Sequence, residues 1–257
     1  MGYIDSHAHL CSSEFNDDLE NIIADFAKNE ISKVMLIACE ENDYERALFL
    51  QKKYSYFDIA KGIHPEDANA YQESDLVLLD KQLSSGNIVL VGEIGLDYYW
   101  VKDNKEKQKE LFIKQLSLAD KYNLAIAVHS RDASEDTYNI LNEYHYSKRG
   151  VMHCYSGSVE MMKRYIDLGY YISLAGPVTF DNAKTAKEVA SQLPLNKLLY
   201  ESDCPYLTPV PFRGKRNNPN LVRYTALVIA ELQGISVEAL NKQVNENYSM
   251  LLGVSDE

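Results

Sequence analysis

Ile4-Asp5-Ser6-His7-Ala8-His9-Leu10 stands at the head of the chain and reads as a short strand. Residues two apart on a strand project to one face, so His7 and His9 aim their imidazoles at one place. Such a pair is half of a site for a divalent transition metal. Two half-buried histidines bonded to backbone would give the same pattern, and the pair alone does not separate these readings. The rest of the chain does, because one strand-like run after another ends on a residue of ligand type.

The run Tyr3–His9 is followed by seven more: Lys33–Cys39, Phe57–His64, Ile88–Leu96, Ala125–His129, Gly150–Cys154, Tyr170–Leu174 and Lys197–Glu201. Most are near-continuous apolar runs, as parallel strands covered on both faces require. Helical stripes fill the gaps. Leu19, Ile22, Ile23 and Phe26 form one. Leu111, Leu118 and Tyr122 form another, in a helix expected to start at Asp103 with Glu106 in its first turn. Met161, Met162, Tyr165 and Leu168 form a third, stopped by Gly169. These Met and aromatic stripes read as core packing. Ser236 caps a final helix with Leu240, Val244, Tyr248 and Leu251 on one face. Eight strands alternating with helices in 257 residues predict an α/β fold, a single (β/α)8 TIM-type barrel with an additional C-terminal helix. A doubly wound open sheet is the alternative. No Ser/Gly-rich linker divides the chain, so residues 1–257 are expected to form one domain.

Hydrophobic residues make up 46% of the chain, which is globular composition. No apolar run is long enough to span a bilayer, so no membrane association is expected. No basic segment followed by an apolar block stands at the N-terminus, so no secretory signal is expected. Cys11, Cys39, Cys154 and Cys204 lack CxxC spacing and suggest neither a zinc ribbon nor a disulfide framework. A reducing cytoplasm is the expected compartment, and a monomer the favoured state. The net charge of −12 argues against non-specific coating of nucleic acid, which depends on many Lys and Arg contacts. A small basic pocket gripping one or two phosphates remains compatible with it.

A barrel gathers the C-terminal ends of its strands around one mouth, and active sites lie there. Glu93 lies in Val89-Leu90-Val91-Gly92-Glu93-Ile94-Gly95-Leu96-Asp97, where an unpaired carboxylate is expensive. An ion pair with a core Lys or Arg would explain it, but no basic residue is expected in a neighbouring strand core. His129 ends one apolar strand, His153 ends another, and Asp203 follows a third. Only His145, late in a helical pattern, reads as a surface histidine. His7, His9, His129, His153, Glu93 and Asp203 are too many ligands for one zinc. They suit two metals sharing a carboxylate. Glu93 is the expected bridge, with His7, His9 and Asp203 completing one site and His129 and His153 the other.

The sequence resembles the TatD-type metal-dependent deoxyribonucleases of the amidohydrolase superfamily. The resemblance rests on Asp5-Ser6-His7-Ala8-His9-Leu10, Gly62-Ile63-His64-Pro65, Gly92-Glu93-Ile94-Gly95-Leu96-Asp97-Tyr98-Tyr99 and His129-Ser130-Arg131. It continues in His153-Cys154-Tyr155-Ser156-Gly157, Glu201-Ser202-Asp203-Cys204-Pro205-Tyr206-Leu207 and Arg213-Gly214-Lys215-Arg216-Asn217. It spans essentially the whole chain in order. It implies a cytoplasmic two-metal barrel hydrolase with DNA exonuclease activity, in which His7, His9, Glu93, His129, His153 and Asp203 bind metal. The chain has Glu66 where the family often has a second histidine, and Asn218 where it often has a carboxylate. Both positions bear on substrate.

On this reading two divalent ions, zinc, manganese or magnesium, activate a water, and Asp203 serves as its base with Glu93 as the shared ligand. Arg213, Lys215 and Arg216, on a loop after the last strand, are candidates to grip the phosphate of DNA; a solvated basic loop is the other reading. Arg131 and His64 are further substrate contacts. Tyr98, Tyr99 and Trp100 could stack on a base or simply pack their loop. A hydrolase of a small ester, lactone or amide is the rival enzyme, because metal shell and fold do not choose a substrate. A metal-loaded binding module without turnover is the rival of another class.

Overall fold

The computed structural model describes residues 2–144 and 150–254; His145 lies outside the described residues. Eight parallel strands pair in chain order: β1 (Tyr3–Ala8), β2 (Ile31–Ala38), β3 (Phe57–Lys61), β4 (Leu90–Asp97), β5 (Ala125–Arg131), β6 (Gly150–Met152), β7 (Tyr171–Leu174) and β8 (Leu198–Tyr200). At the seam the Asp203 N–H donates to His7 O (3.0 Å) and the His9 N–H to Cys204 O (2.9 Å). The sheet is thus a nearly closed barrel, and the open-sheet alternative falls away.

Helices α1 (Leu19–Ala24), α2 (Glu41–Lys53), α3 (Glu73–Leu83), α4 (Lys105–Lys121), α5 (Ser134–Tyr144), α6 (Val159–Asp167), α7 (Lys184–Gln192) and α8 (Val222–Gln233) alternate with the strands or follow the last of them. The additional C-terminal helix, α9 (Val237–Leu252), packs beside β1 and β8. Ser236 caps it, its hydroxyl accepting the Ala239 N–H (3.2 Å). Tyr200 OH donates to Asn241 Oδ1 (2.8 Å) and ties α9 to the barrel floor. No described helix is long and apolar enough to cross a membrane.

Several boundaries differ from the periodicity. β3 stops at Lys61, short of His64, and β6 at Met152, short of His153. The polar residues leave the ladder where the chain turns over the mouth. Helix α4 begins at Lys105 and not at Asp103. Phe26 falls beyond α1, yet it is fully buried, edge-on to Phe57. The expectation of no basic residue in a strand core next to Glu93 is wrong. Lys61 ends β3 and is buried, but its ammonium goes elsewhere, donating to Cys39 O (2.9 Å) and pairing with Glu41 (3.0 Å).

Candidate metal centre

The Glu93 side chain emerges from β4 into a nest of imidazoles. Its Oε2 lies 3.4 Å from His7 Nε2 and 3.5 Å from His9 Nε2. Its Oε1 lies 2.6 Å from both His129 Nδ1 and His153 Nε2, and 3.5 Å from His64 Nε2. Asp203 Oδ1 reaches His9 (3.6 Å) and His7 (3.9 Å) from across the seam. The structure therefore brings His7, His9, Glu93, His129, His153 and Asp203 to one place. Among the described residues three overlapping groups could hold a cation: His7 with His9 and Glu93, His7 with His153 and Asp203, and His64 with Glu93 and His129.

The outer nitrogens decide what the inner ones can do. His129 Nε2–H donates to Asp97 Oδ2 (2.9 Å), and His153 Nδ1–H donates to Glu201 Oε1 (3.2 Å). Each carboxylate fixes the tautomer of its imidazole and turns a lone pair inward. Those two inner nitrogens, 3.2 Å apart, face one carboxylate oxygen. Only protons or a cation can fill a gap ringed by acceptors. The donor set of imidazoles and carboxylates suits a divalent transition metal.

The electrostatics follow from burial and these neighbours. Burial opposes charge on Glu93, but His153, His64 and His129 outweigh it and hold the carboxyl well below its usual range. Burial also opposes charge on His153, and Glu93 and Glu201 raise it well above the ordinary imidazole value. His7 goes the other way: burial, then the stacked His153 ring at 3.9 Å, lowers it. For Asp203, burial prevails over His153, His7 and His9, and the carboxyl is raised. Asp203 (φ 54) and Cys154 (φ 42) occupy the left-handed backbone region just after strand ends at the mouth.

These residues floor a cavity of about 1200 Å³. Arg131 and His64 line it, as does Trp100. The Arg131 guanidinium lies 4.0 Å from the Tyr99 ring centroid and 5.3 Å from that of Trp100. Tyr98 instead packs the loop, buried, with its hydroxyl donating to Asp136 (2.7 Å). Arg213, Lys215 and Arg216 are not among the lining residues. Arg213 lies over Phe180 (4.3 Å), and Arg216 is tied to Asp18, to the Glu14 carbonyl and to the Phe15 ring. Glu66 lines the cavity and its N–H donates to His64 Nδ1 (3.3 Å). Asn218 caps the turn Pro219–Leu221 and is not among the lining residues. Sequence reasoning passed over Asp97 and Glu201. Asp97 and Glu201 each stood inside or beside an apolar strand, the same signal that singled out Glu93.

A barrel with this donor set at the C-terminal mouth of its strands defines a metal-dependent hydrolase. A family model described as TatD related DNase matches residues 4–253, and the chain belongs to that family. The uncharacterized metal-dependent hydrolase YabD of Bacillus subtilis is 39% identical over 252 residues, covering 98% of this chain and 99% of the relative. The uncharacterized metal-dependent hydrolase YcfH of Escherichia coli is 35% identical over 259 residues, covering 99% and 97%. The crystal structure of YjjV, a TatD homolog from Escherichia coli, superposes with a TM-score of 0.92 at 30% identity, covering 98% of each chain.

Proposed function

We propose that the protein hydrolyses phosphodiester bonds of DNA from a strand end. Two divalent ions would be held by His7, His9 and Asp203 on one side and His129 and His153 on the other, with Glu93 shared. The observation that carries this reading is the division of the Glu93 carboxylate, whose two oxygens face different sets of imidazoles. Divalent ions bound there would activate a water for attack and offset charge on the phosphoryl oxygens. Asp203, made more basic by burial, takes the proton of the attacking water. His64 Nδ1 accepts the Glu66 N–H, so Nε2 carries the proton; it faces Glu93 Oε1 (3.5 Å) at the edge of the cavity, within reach of a substrate held there. Arg131 holds a phosphate from the wall. Of the two described arginines that line the cavity, Arg46 is held by the Cys11, Ser12 and Phe15 carbonyls and by Asn16 Oδ1, which leaves Arg131 as the grip, sized for a strand end.

One observation favours the small ester, lactone or amide as a second reading. Glu14, Glu40, Asp43, Glu66 and Asp67 line the same cavity and would repel a long polyanion. Parallel assays of the metal-loaded protein on single-stranded oligonucleotides and on a panel of small esters and lactones decide between them. Terminal nucleotide release is expected. Arg131→Ala should raise KM for DNA by about 10–100-fold, the worth of a charge-assisted hydrogen bond. The same change at Arg213 should cost less. Rapid ester turnover with no nucleotide release would replace the first reading with the second.

A further inference from the structure

Asp97 stands at the end of β4, fully buried, and its two carboxylate oxygens serve different partners. Oδ2 accepts the Nε2–H of His129 (2.9 Å). Oδ1 accepts the N–H groups of Tyr99 (2.9 Å) and Trp100 (2.8 Å) and so sets the path of the loop that follows. The backbone beneath is clamped: Gln108 Oε1 accepts the Asp97 N–H (2.7 Å), and Gln108 Nε2–H donates to Asp97 O (2.8 Å). The carboxylate cannot swing toward one partner without leaving the other. On that loop Trp100 is 61% exposed and lines the cavity. Arg131, paired in register with Asp97 on β5, lies against the Tyr99 and Trp100 rings.

We infer that Asp97 is a positioning residue that couples cation binding at His129 to the order of the Tyr99–Trp100–Arg131 wall. A cation at Nδ1 makes the Nε2–H a stronger donor and tightens its hold on Asp97. The same carboxylate then holds the loop more firmly. An exposed indole beside a guanidinium suits the base and phosphate of a nucleotide. That use of the wall rests on the phosphodiester reading, whereas the coupling itself does not.

Asparagine has the shape of aspartate but cannot do both jobs. If its amide NH2 faces His129, the imidazole must present a lone pair at Nε2 and carry its proton at Nδ1, where the cation would bind. If the amide turns, its NH2 confronts two backbone N–H groups. Trp100 is the only tryptophan in the chain, so its emission reports this loop alone.

The test titrates zinc alone into the metal-free full-length chain, following acrylamide quenching of Trp100 and, by chelator competition, zinc affinity. In the wild-type protein quenching should fall as zinc binds. Asp97→Asn should weaken zinc by about 10–100-fold and leave Trp100, at saturating zinc, as quenchable as without metal. Glu201→Gln, acting on His153, should weaken zinc but keep the Trp100 response at saturation. Wild-type affinity and response in Asp97→Asn would overturn the inference, and so would loss of the response in Glu201→Gln. The wild-type arm needs no variant: zinc bound without any change at Trp100 overturns the coupling and leaves the hydrolase reading standing. A wild-type chain that takes no zinc overturns both.

Discussion

Asp203 is pulled in two directions, by burial that disfavours its charge and by His153, His7 and His9 that favour it, and burial prevails. A carboxylate made more basic than usual, reaching His9 across the seam, is suited to accept a proton from water. Asparagine keeps the shape and removes the charge and most of the basicity. Asp203→Asn is expected to stay folded and keep at least one metal, yet to lose ~10²–10⁴-fold in kcat. The loss should appear equally in kcat/KM, because proton removal belongs to the transition state. Steady-state hydrolysis of an oligonucleotide measures it, with metal content and Tm taken on the same preparation. A metal-replete variant with near-wild-type kcat would remove Asp203 from the role of base.

At the scale of the element, β4 organises the centre. Glu93, Gly95 and Asp97 lie two apart, and the His129 ring from β5 spans from Glu93 at Nδ1 to Asp97 at Nε2. Gly95 sits beneath, in register with His129, at φ +142. A Cβ there would collide with the His129 carbonyl oxygen. The position thus needs glycine both for its backbone angle and for the close approach of the two strands. Gly95→Ala is expected to cost at least ~1–3 kcal/mol and to displace His129, so that Tm and bound metal fall together. Thermal denaturation and elemental analysis check it, and a variant with wild-type values of both would show that the approach can relax.

At the scale of the molecule, the mouth gathers buried carboxylates and imidazoles that compensate one another and form groups able to hold a cation. Metal removal should lower Tm, the lost stability growing with the logarithm of metal concentration over Kd and reaching about 2.7 kcal/mol for a metal held at 100 times its Kd. Four imidazoles make the site softer than an all-oxygen cage, so zinc or manganese should protect better than magnesium. Magnesium giving the larger rise in Tm at equal concentration would reverse that order. Deeper in the barrel, burial raises the Asp5 carboxyl from 3.8 to about 7. The folded chain then holds a proton that the unfolded chain has released. This contribution is complete below the unfolded value and is lost as pH rises through the folded one, on the order of 4 kcal/mol across that window. Asp5→Asn keeps an oxygen for the Ser202 N–H (2.8 Å) but cannot titrate. In chelator, the Tm of Asp5→Asn minus that of wild type should climb as pH is raised through the window; a flat difference would contradict the shift.

His7 and His9 were legible because period two is a local property of a strand: the chain's own pleat sends both imidazoles to one face. Glu93 was legible because a carboxylate inside an apolar strand is expensive unless something compensates it, and His129, His153 and Asp203 because a polar group ending or following an apolar run has nowhere to go but the mouth. Eight such runs separated by helical stripes made a parallel α/β fold legible, since parallel strands need helices to return the chain; the seam between the first and last strands decided for the barrel over the open sheet. What no local pattern encodes is which distant group meets which. Arg216 reads as a free phosphate grip until the fold brings it to Asp18 and Glu14, about 200 positions away in the chain. Lys61 went unnoticed as a core cation beside the Glu93 strand, and only the fold shows Glu41 and the Cys39 carbonyl surrounding its ammonium. The division of labour between the oxygens of Asp97 depends on β5 and on the following loop, and His64 joins the imidazoles only because its turn folds inward over β4. Periodicity fixes the direction in which a side chain leaves its own backbone; hydrogen bonds and ion pairs form only where tertiary packing brings a second backbone within reach.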